Sequence, residues 1–159
     1  MIRMEITGQD EALKALSMIS SPDTREAILD DYGQYMLTEI DARFENETDP
    51  DGDAWAKSYR ARTEGGQTLT DDGFLRQSMT QVNDSDRLEI GSNLVYARIH
   101  NDGGVIKPKS GNKLKFKIGS HFVTVDSVTI PQRQFLGFNA ENEAELFNII
   151  NDHWEGLVQ

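Results

Sequence analysis

Hydrophobic positions along this chain recur at two spacings, four residues apart in the first half and two apart from about residue 81 onward. The clearest helical stretch follows Ser21-Pro22, where a capping hydroxyl stands just before proline at the first helical position and Asp23 and Glu26 oppose the helix dipole. Ile28, Tyr32, Met36, Ile40 and Phe44 then form one apolar stripe, flanked by Leu29 and Leu37, on a helix of about six turns. Gly33 inside this helix costs roughly 1 kcal/mol relative to alanine, so tight packing or the close approach of another chain is expected there. Upstream, Ile2, Met4 and Ile6 alternate with Arg3 and Glu5 as in a short strand, and Asp10 is placed to cap a helix carrying Leu13, Leu16 and Ile19.

The cluster ENETDPDGDAW stops the long helix and reverses the chain, making 46–53 a loop. Trp55 is expected to open a short helical segment through Arg62, and Asp71-Asp72-Gly73 to cap another with Phe74, Leu75 and Met79 on its buried side. Val82, Leu88 and Ile90 flank the turn Asn83-Asp84-Ser85-Asp86, and the apolar run Leu94 to His100 is read as a strand ending in Asn101-Asp102-Gly103-Gly104. Leu114, Phe116 and Ile118 alternate with Lys113, Lys115 and Lys117, and Gly119-Ser120 returns the chain through His121 to Val125 as a hairpin. A last helix runs from about Ala140 to Trp154, capped by Asn139, with Leu146, Phe147, Ile150 and Trp154 at helical spacing. Helices, then strands, then a helix predict an α+β fold. It comprises a long N-terminal helix and short helices packed on a small antiparallel sheet, a projecting lysine-rich hairpin and a C-terminal helix.

The 159 residues suit a single domain over 1–159, burying roughly 70% of the surface of the unfolded chain. Sixteen Lys+Arg against 27 Asp+Glu leave a net charge of −11, which opposes loose binding to nucleic-acid phosphates or anionic lipid. No stretch reaches the ~20 apolar residues of a membrane span, and the acidic start is unlike a signal peptide, so an intracellularly made soluble protein is expected. Cysteine is absent, which excludes disulfides, thiolate metal ligands and a thiol nucleophile. The charge is uneven. Residues 1–90 hold 9 bases and 20 acids, whereas 91–159 hold 7 of each. From Arg98 to Val125, Arg98, Lys107, Lys109, Lys113, Lys115 and Lys117 face only Asp102. Such polarity suits head-to-tail assembly through complementary potentials, and equally a solvated lysine-rich loop.

Candidate chemistry is sparse. Asp49, Asp51 and Asp53 resemble the opening of a calcium loop, but its sixth and twelfth positions are Ala54 and Arg60 instead of glycine and glutamate. Asx-turn and capping duty is the competing role. His100, His121 and His153 show no metal-ligand spacing, and no nucleophile elbow, Walker loop or dinucleotide fingerprint occurs. No cofactor, metal site or catalytic centre is expected.

Four sequence words carry more information. The first is F-x4-D-P-D-G-x-x-W over Phe44 to Trp55, and the second is Leu69-Thr70-Asp71-Asp72-Gly73-Phe74-Leu75-Arg76-Gln77-Ser78. The third joins Ile90-Gly91-Ser92-Asn93 to Tyr96-Ala97-Arg98-Ile99-His100-Asn101 and Gly103-Gly104, and the fourth is Ile130-Pro131-Gln132-Arg133-Gln134-Phe135-Leu136-Gly137. In order and spacing they resemble the phage virion morphogenesis family over roughly residues 25–155. Ser58, Tyr59 and Arg60 after Lys57 depart from the family's usual Trp-x-x-Leu and Thr stretch. The resemblance implies a non-enzymatic tail-completion or neck role in tailed, including Mu-like, phages and prophages. Copies are expected to form a ring in the virion after synthesis in the host bacterial cytoplasm. Tail-tube, tail-terminator or head-neck proteins are the expected partners, with no membrane and no sequence-specific nucleic acid.

Lys107, Lys109, Lys113, Lys115, Lys117 and Arg133 are the candidate interface residues, Arg133 pairing with a carboxylate of a neighbour or of its own domain. Trp55 and Phe135 read as core anchors. The glycines at 91, 103 and 104 read as positions of positive backbone dihedral. Two other functions stay open at this level: a metal-assisted hydrolase using Asp49, Asp51 and Asp53, and an acidic mimic of DNA, which the lysine hairpin argues against.

Overall fold

The computed structural model describes residues 17, 21–111, 113–119 and 121–158. The strand expected at Ile2, Met4 and Ile6, and Asp10, Leu13, Leu16 and Ile19, lie outside them, as does Ser120 of the hairpin turn. The elements are α1 (Pro22–Asn46), α2 (Tyr59–Thr63), α3 (Phe74–Gln77), β1 (Thr80–Asn83), β2 (Leu88–Gly91) and α4 (Ala97–Asp102). There follow β3 (Gly104–Ile106), β4 (Leu114–Ile118), β5 (His121–Val125), β6 (Val128–Ile130) and α5 (Ala140–Val158). The class is α+β. The strands form three separate antiparallel pairs, β1 with β2, β3 with β6 and β4 with β5, in place of one small sheet. The chain groups into two compact units, one of residues 1–41, 79–91 and 138–159, the other of 42–78 and 92–137.

In the first unit, α1 begins as its sequence requires, with the Ser21 Oγ accepting the Thr24 amide at 3.2 Å. Ile28, Tyr32, Met36 and Ile40 are all buried, which fits the four-residue stripe. Gly33 has an intramolecular reason: a Cβ there would press on the Gln81 amide group and come within 3.0 Å of Leu88 Cδ1, so the β1–β2 hairpin is the close neighbour. Gln81 Nε2 reaches Asp30 Oδ1 at 2.9 Å across this approach. α5 starts at the predicted cap, where the Asn139 Oδ1 accepts the Asn142 amide at 2.8 Å and the Asn142 Oδ1 accepts the Asn139 amide at 3.2 Å. Asn142, fully buried, also donates to the Tyr35 hydroxyl at 3.1 Å, and its carbonyl accepts from the Tyr32 hydroxyl at 3.1 Å. Phe147, expected inward, is 57% exposed, while Leu146, Ile149, Ile150 and Trp154 are half-buried apolar residues of that helix.

In the second unit, α1 ends where Glu47 adopts a left-handed conformation (φ 57°) and the Thr48 amide returns to the Arg43 carbonyl at 3.1 Å. Residues 55–58 are extended, not helical as expected from Trp55. The Trp55 amide pairs with the Glu47 carbonyl at 2.7 Å, and Ser58 is the cap, so the helix starts only at Tyr59. Leu75 of α3 is buried, but Phe74 beside it is 62% exposed, because a four-residue helix has only one inward position per turn. The run from Leu94 to His100 folds as a turn and α4, not as a strand. The Ser92 Oγ takes the Leu94 amide at 3.1 Å and the Leu94 carbonyl takes the Ala97 amide at 3.0 Å, winding the chain before it can extend.

β3 to β6 form an interrupted two-stranded ribbon. Ile106 pairs with Val128 and Leu114 with Val125, so seven residues separate β3 from β4 while only two separate β5 from β6. Pro108 lacks a ladder donor, and the unequal lengths break the pairing there.

Candidate assembly surface

Parts of all four sequence words lie in the second unit, where residues of the first, third and fourth meet at one packing site. Phe135 is fully buried with its ring 5.0 Å from Phe44, which stands edge-on to Trp55 at 5.5 Å. Trp55 Nε1 donates to the Gln134 carbonyl at 3.1 Å, and buried Arg43 donates to the Phe135 and Gly137 carbonyls, each at 3.0 Å. Asn101 Oδ1 accepts the Phe135 and Leu136 amides at 3.1 and 2.8 Å. The Ser78 and Ser92 hydroxyls of the second and third words lie 2.7 Å apart. Trp55 and Phe135 are thus core anchors. Arg43 and Asn101 were missed, although an Arg beside Phe44 in a buried stripe and an Asn at a helix end are residues that commonly satisfy stray carbonyls and amides.

Arg133 lies inside this site, 6% exposed. Its Nε donates to the Ala56 carbonyl at 2.6 Å and its amide to the His100 carbonyl at 2.9 Å. Burial, then the neighbouring Arg62, press its pKa below the ordinary arginine value. The guanidinium thus ties the Arg133 segment to the Ala56 segment of its own unit, and the group it meets is a backbone carbonyl in place of the expected carboxylate. Gly103 (φ 69°) and Gly104 (φ 148°) have positive dihedrals, and a Cβ on Gly103 would lie 2.7 Å from the Gln132 nitrogen. Gly91 instead sits in the β1–β2 ladder opposite Thr80 without a positive φ.

Asp49 is a loop organiser. Its Oδ1 accepts the Asp51 and Asp53 amides, each at 2.9 Å, and its amide donates to the Asp53 carbonyl at 2.9 Å. No group of three or more His, Asp or Glu side chains placed to hold a metal occurs among the described residues. Glu47 also has a structural role. Burial works to raise its pKa, but the Thr68 amide and hydroxyl with Lys57 and Arg60 outweigh this and hold the carboxyl below its usual range. A cleft of about 240 Å³ is lined by Ser58, Arg60, Leu69, Asp71, Asp72, Leu75, Tyr96 and His100. Burial and then Arg133 lower the His100 pKa, which favours neutral imidazole, and its Nδ1 is buried without a hydrogen-bond partner.

The candidate lysines occupy the ribbon and its interruption. Lys107, Lys109, Lys113, Lys115 and Lys117 are all exposed, and among the described residues only Lys113 shows a carboxylate partner, Asp126 at 3.3 Å. Along β4 the apolar Leu114, Phe116 and Ile118 are half-buried and the lysines between them face solvent. Register places Lys117 opposite Phe122 and Lys115 opposite Thr124, so Phe122, 83% exposed, shares the lysine face. The sequence held this signal: in His121 to Val125 the inward phase belongs to Val123 and Val125, leaving Phe122 out of phase. Charge divides between the two units. The first contains 4 Lys+Arg against 17 Asp+Glu, a balance of −13, and the second 12 against 10, a balance of +2.

The α+β class matches the fold expected of the resemblance. The chain belongs to the phage virion morphogenesis family, whose model matches residues 4–155. Among curated relatives it is similar to the Mu-like prophage FluMu G protein 2 of Haemophilus influenzae, with 27% identity over 160 residues that cover 100% of each chain. No solved structure matches the chain. No helix among the described residues is long and apolar enough to cross a membrane.

Proposed function

We propose that this chain is a structural, non-enzymatic component of phage particle assembly that acts in tail completion or head-tail joining as an oligomeric ring. Membership of the morphogenesis family supports the assembly role, and the likeness to a Mu-like prophage protein supports a tailed-phage setting. The observation that carries the ring is the division of charge, −13 on one unit and +2 with the lysine ribbon on the other. Two unlike, complementary patches on one chain favour heterologous contacts, and such contacts close into rings when the rotation permits. The whole chain acts as one assembly module, made in the host bacterial cytoplasm and retained in the virion. Tail-tube, tail-terminator or head-neck proteins are its partners.

Reversal of Lys113, Lys115 and Lys117 to glutamate is the direct test, because all three are exposed. Particle completion is expected to fail while the monomer keeps its melting temperature. Completion at unchanged expression would remove the ribbon as the contact, and normal particles from a phage lacking the chain would remove the assembly role altogether.

A further inference from the structure

A ribbon face and a helix groove, placed on different units of this chain, have matching chemistry. The ribbon face presents Lys115 and Lys117 on β4 with Phe122 and Thr124 opposite them on β5. A two-stranded pair standing alone is marginally stable in water, and Phe122 leaves 83% of its surface uncovered at this pair. An aromatic flanked by cations is the composition of an interface anchor, since a ring supplies apolar area while the cations set orientation.

The groove lies in the first unit, between α1 and α5. Ile149, Asp152, His153 and Gly156 recur at three and four residues along one face of α5, and Asp31 of α1 forms the opposite wall. His153 Nε2 and Asp31 Oδ2 close to 2.8 Å across it. It is a broad depression of about 600 Å³, open to solvent, and an added Cβ on Gly156 meets nothing within 4 Å. Ile149 supplies an apolar surface, Asp152 is exposed and ready to meet a cation, and the unit around them is strongly acidic.

We propose that the occupant of this groove is the ribbon of a second copy of the chain, with Phe122 against Ile149 and Lys115 and Lys117 directed at Asp152 and Asp31. The proposal rests on the assembly reading above and gives it a specific contact. The contact is heterologous, because the two surfaces are different parts of the chain, so every copy in the interior of an assembly offers one of each. Charge decides the choice of occupant: the ribbon over 104–130 carries five lysines against one acid, Asp126, and the groove belongs to the more acidic unit.

The chain has no cysteine, so introduced thiols report this contact without background. Thr124→Cys is placed on one copy and Gly156→Cys on a second copy bearing a size tag; neither change removes Phe122, a lysine or Asp152. The two proteins are mixed, oxidised, and the mixed-size disulfide dimer is measured. Its yield is expected to exceed, by about ten-fold or more, that of a control in which Thr80→Cys replaces Gly156→Cys, since held thiols react at a raised effective concentration. The excess is expected to fall in about 1 M salt, where screening shortens to about 3 Å, and to vanish when Phe122→Asp is added to the Thr124→Cys copy. A yield equal to the control, or one indifferent to Phe122→Asp, overturns the proposal. Light scattering on the unsubstituted protein separates the two levels: oligomers without the disulfide reject this groove alone, whereas a monomer that particles do not require rejects the assembly reading with it.

Discussion

Replacing Asn142, which is fully buried, by leucine should unfold the protein at a lower temperature, although leucine keeps the same heavy-atom branching. The side chain accepts the Asn139 amide at 3.2 Å and donates to the Tyr35 hydroxyl at 3.1 Å. Each such bond contributes about 1 kcal/mol net, and the polar groups that lose a buried partner add to the cost, so a loss of about 2–3 kcal/mol follows. At this chain length that corresponds to a fall of roughly 4–12 °C in melting temperature. Helix α5 itself should still form, because the Asn142 amide continues to donate to the Asn139 Oδ1. Tyr35→Phe removes one of these bonds from the other side and should cost about 1 kcal/mol. Thermal unfolding of the two single variants and the double variant completes the cycle. The double loss should fall short of the sum by about 1 kcal/mol, because both changes delete the same bond. A leucine variant within about 0.5 kcal/mol of the parent, or strictly additive losses, would refute the argument that this asparagine ties α5 to α1.

Gly33→Ala should lower the urea midpoint despite the roughly 1 kcal/mol gained in helix propensity, because the new methyl displaces Gln81 and crowds Leu88, an overpacking cost of about 1–3 kcal/mol. Adding Gln81→Ala should largely restore it, and a Gly33→Ala protein more stable than its parent would mean that the hairpin does not press on α1. Stability should also fall as pH drops below about 6.5, because His100 takes up a proton in the unfolded chain that burial and Arg133 oppose in the folded one. His100→Gln should flatten that part of the stability-pH curve, measured by denaturant unfolding at several pH values, and an unchanged slope would assign it to other groups.

Much of the fold is legible in local patterns. Ser21-Pro22 and the stripe from Ile28 to Phe44 specify α1, because helix capping and four-residue periodicity act within one element. Alternation in Leu114 to Ile118 specifies the β4–β5 pair for the same reason. Where local pattern and tertiary environment compete, the reading from sequence fails. Leu94 to His100 looks like a strand by composition, yet the Ser92 hydroxyl and the α4 turn decide it, and Phe74 and Phe147 look inward by type while the available inward positions go to Leu75 and Leu146. The lysine surface was visible as a run of charge, but Phe122 joined it only through cross-strand register.

Sequence alone determined the α+β class, the long helix, the lysine ribbon, the uneven charge and the family. Each of these is written in residues near one another in the chain or in a count over it. Tertiary structure alone decided that Arg133 faces the Ala56 carbonyl, that Asp49 organises its own loop, and that the excess of acid falls in one of two units assembled from discontinuous segments. Those outcomes depend on which distant backbone groups need a partner once buried, and only packing brings such groups together.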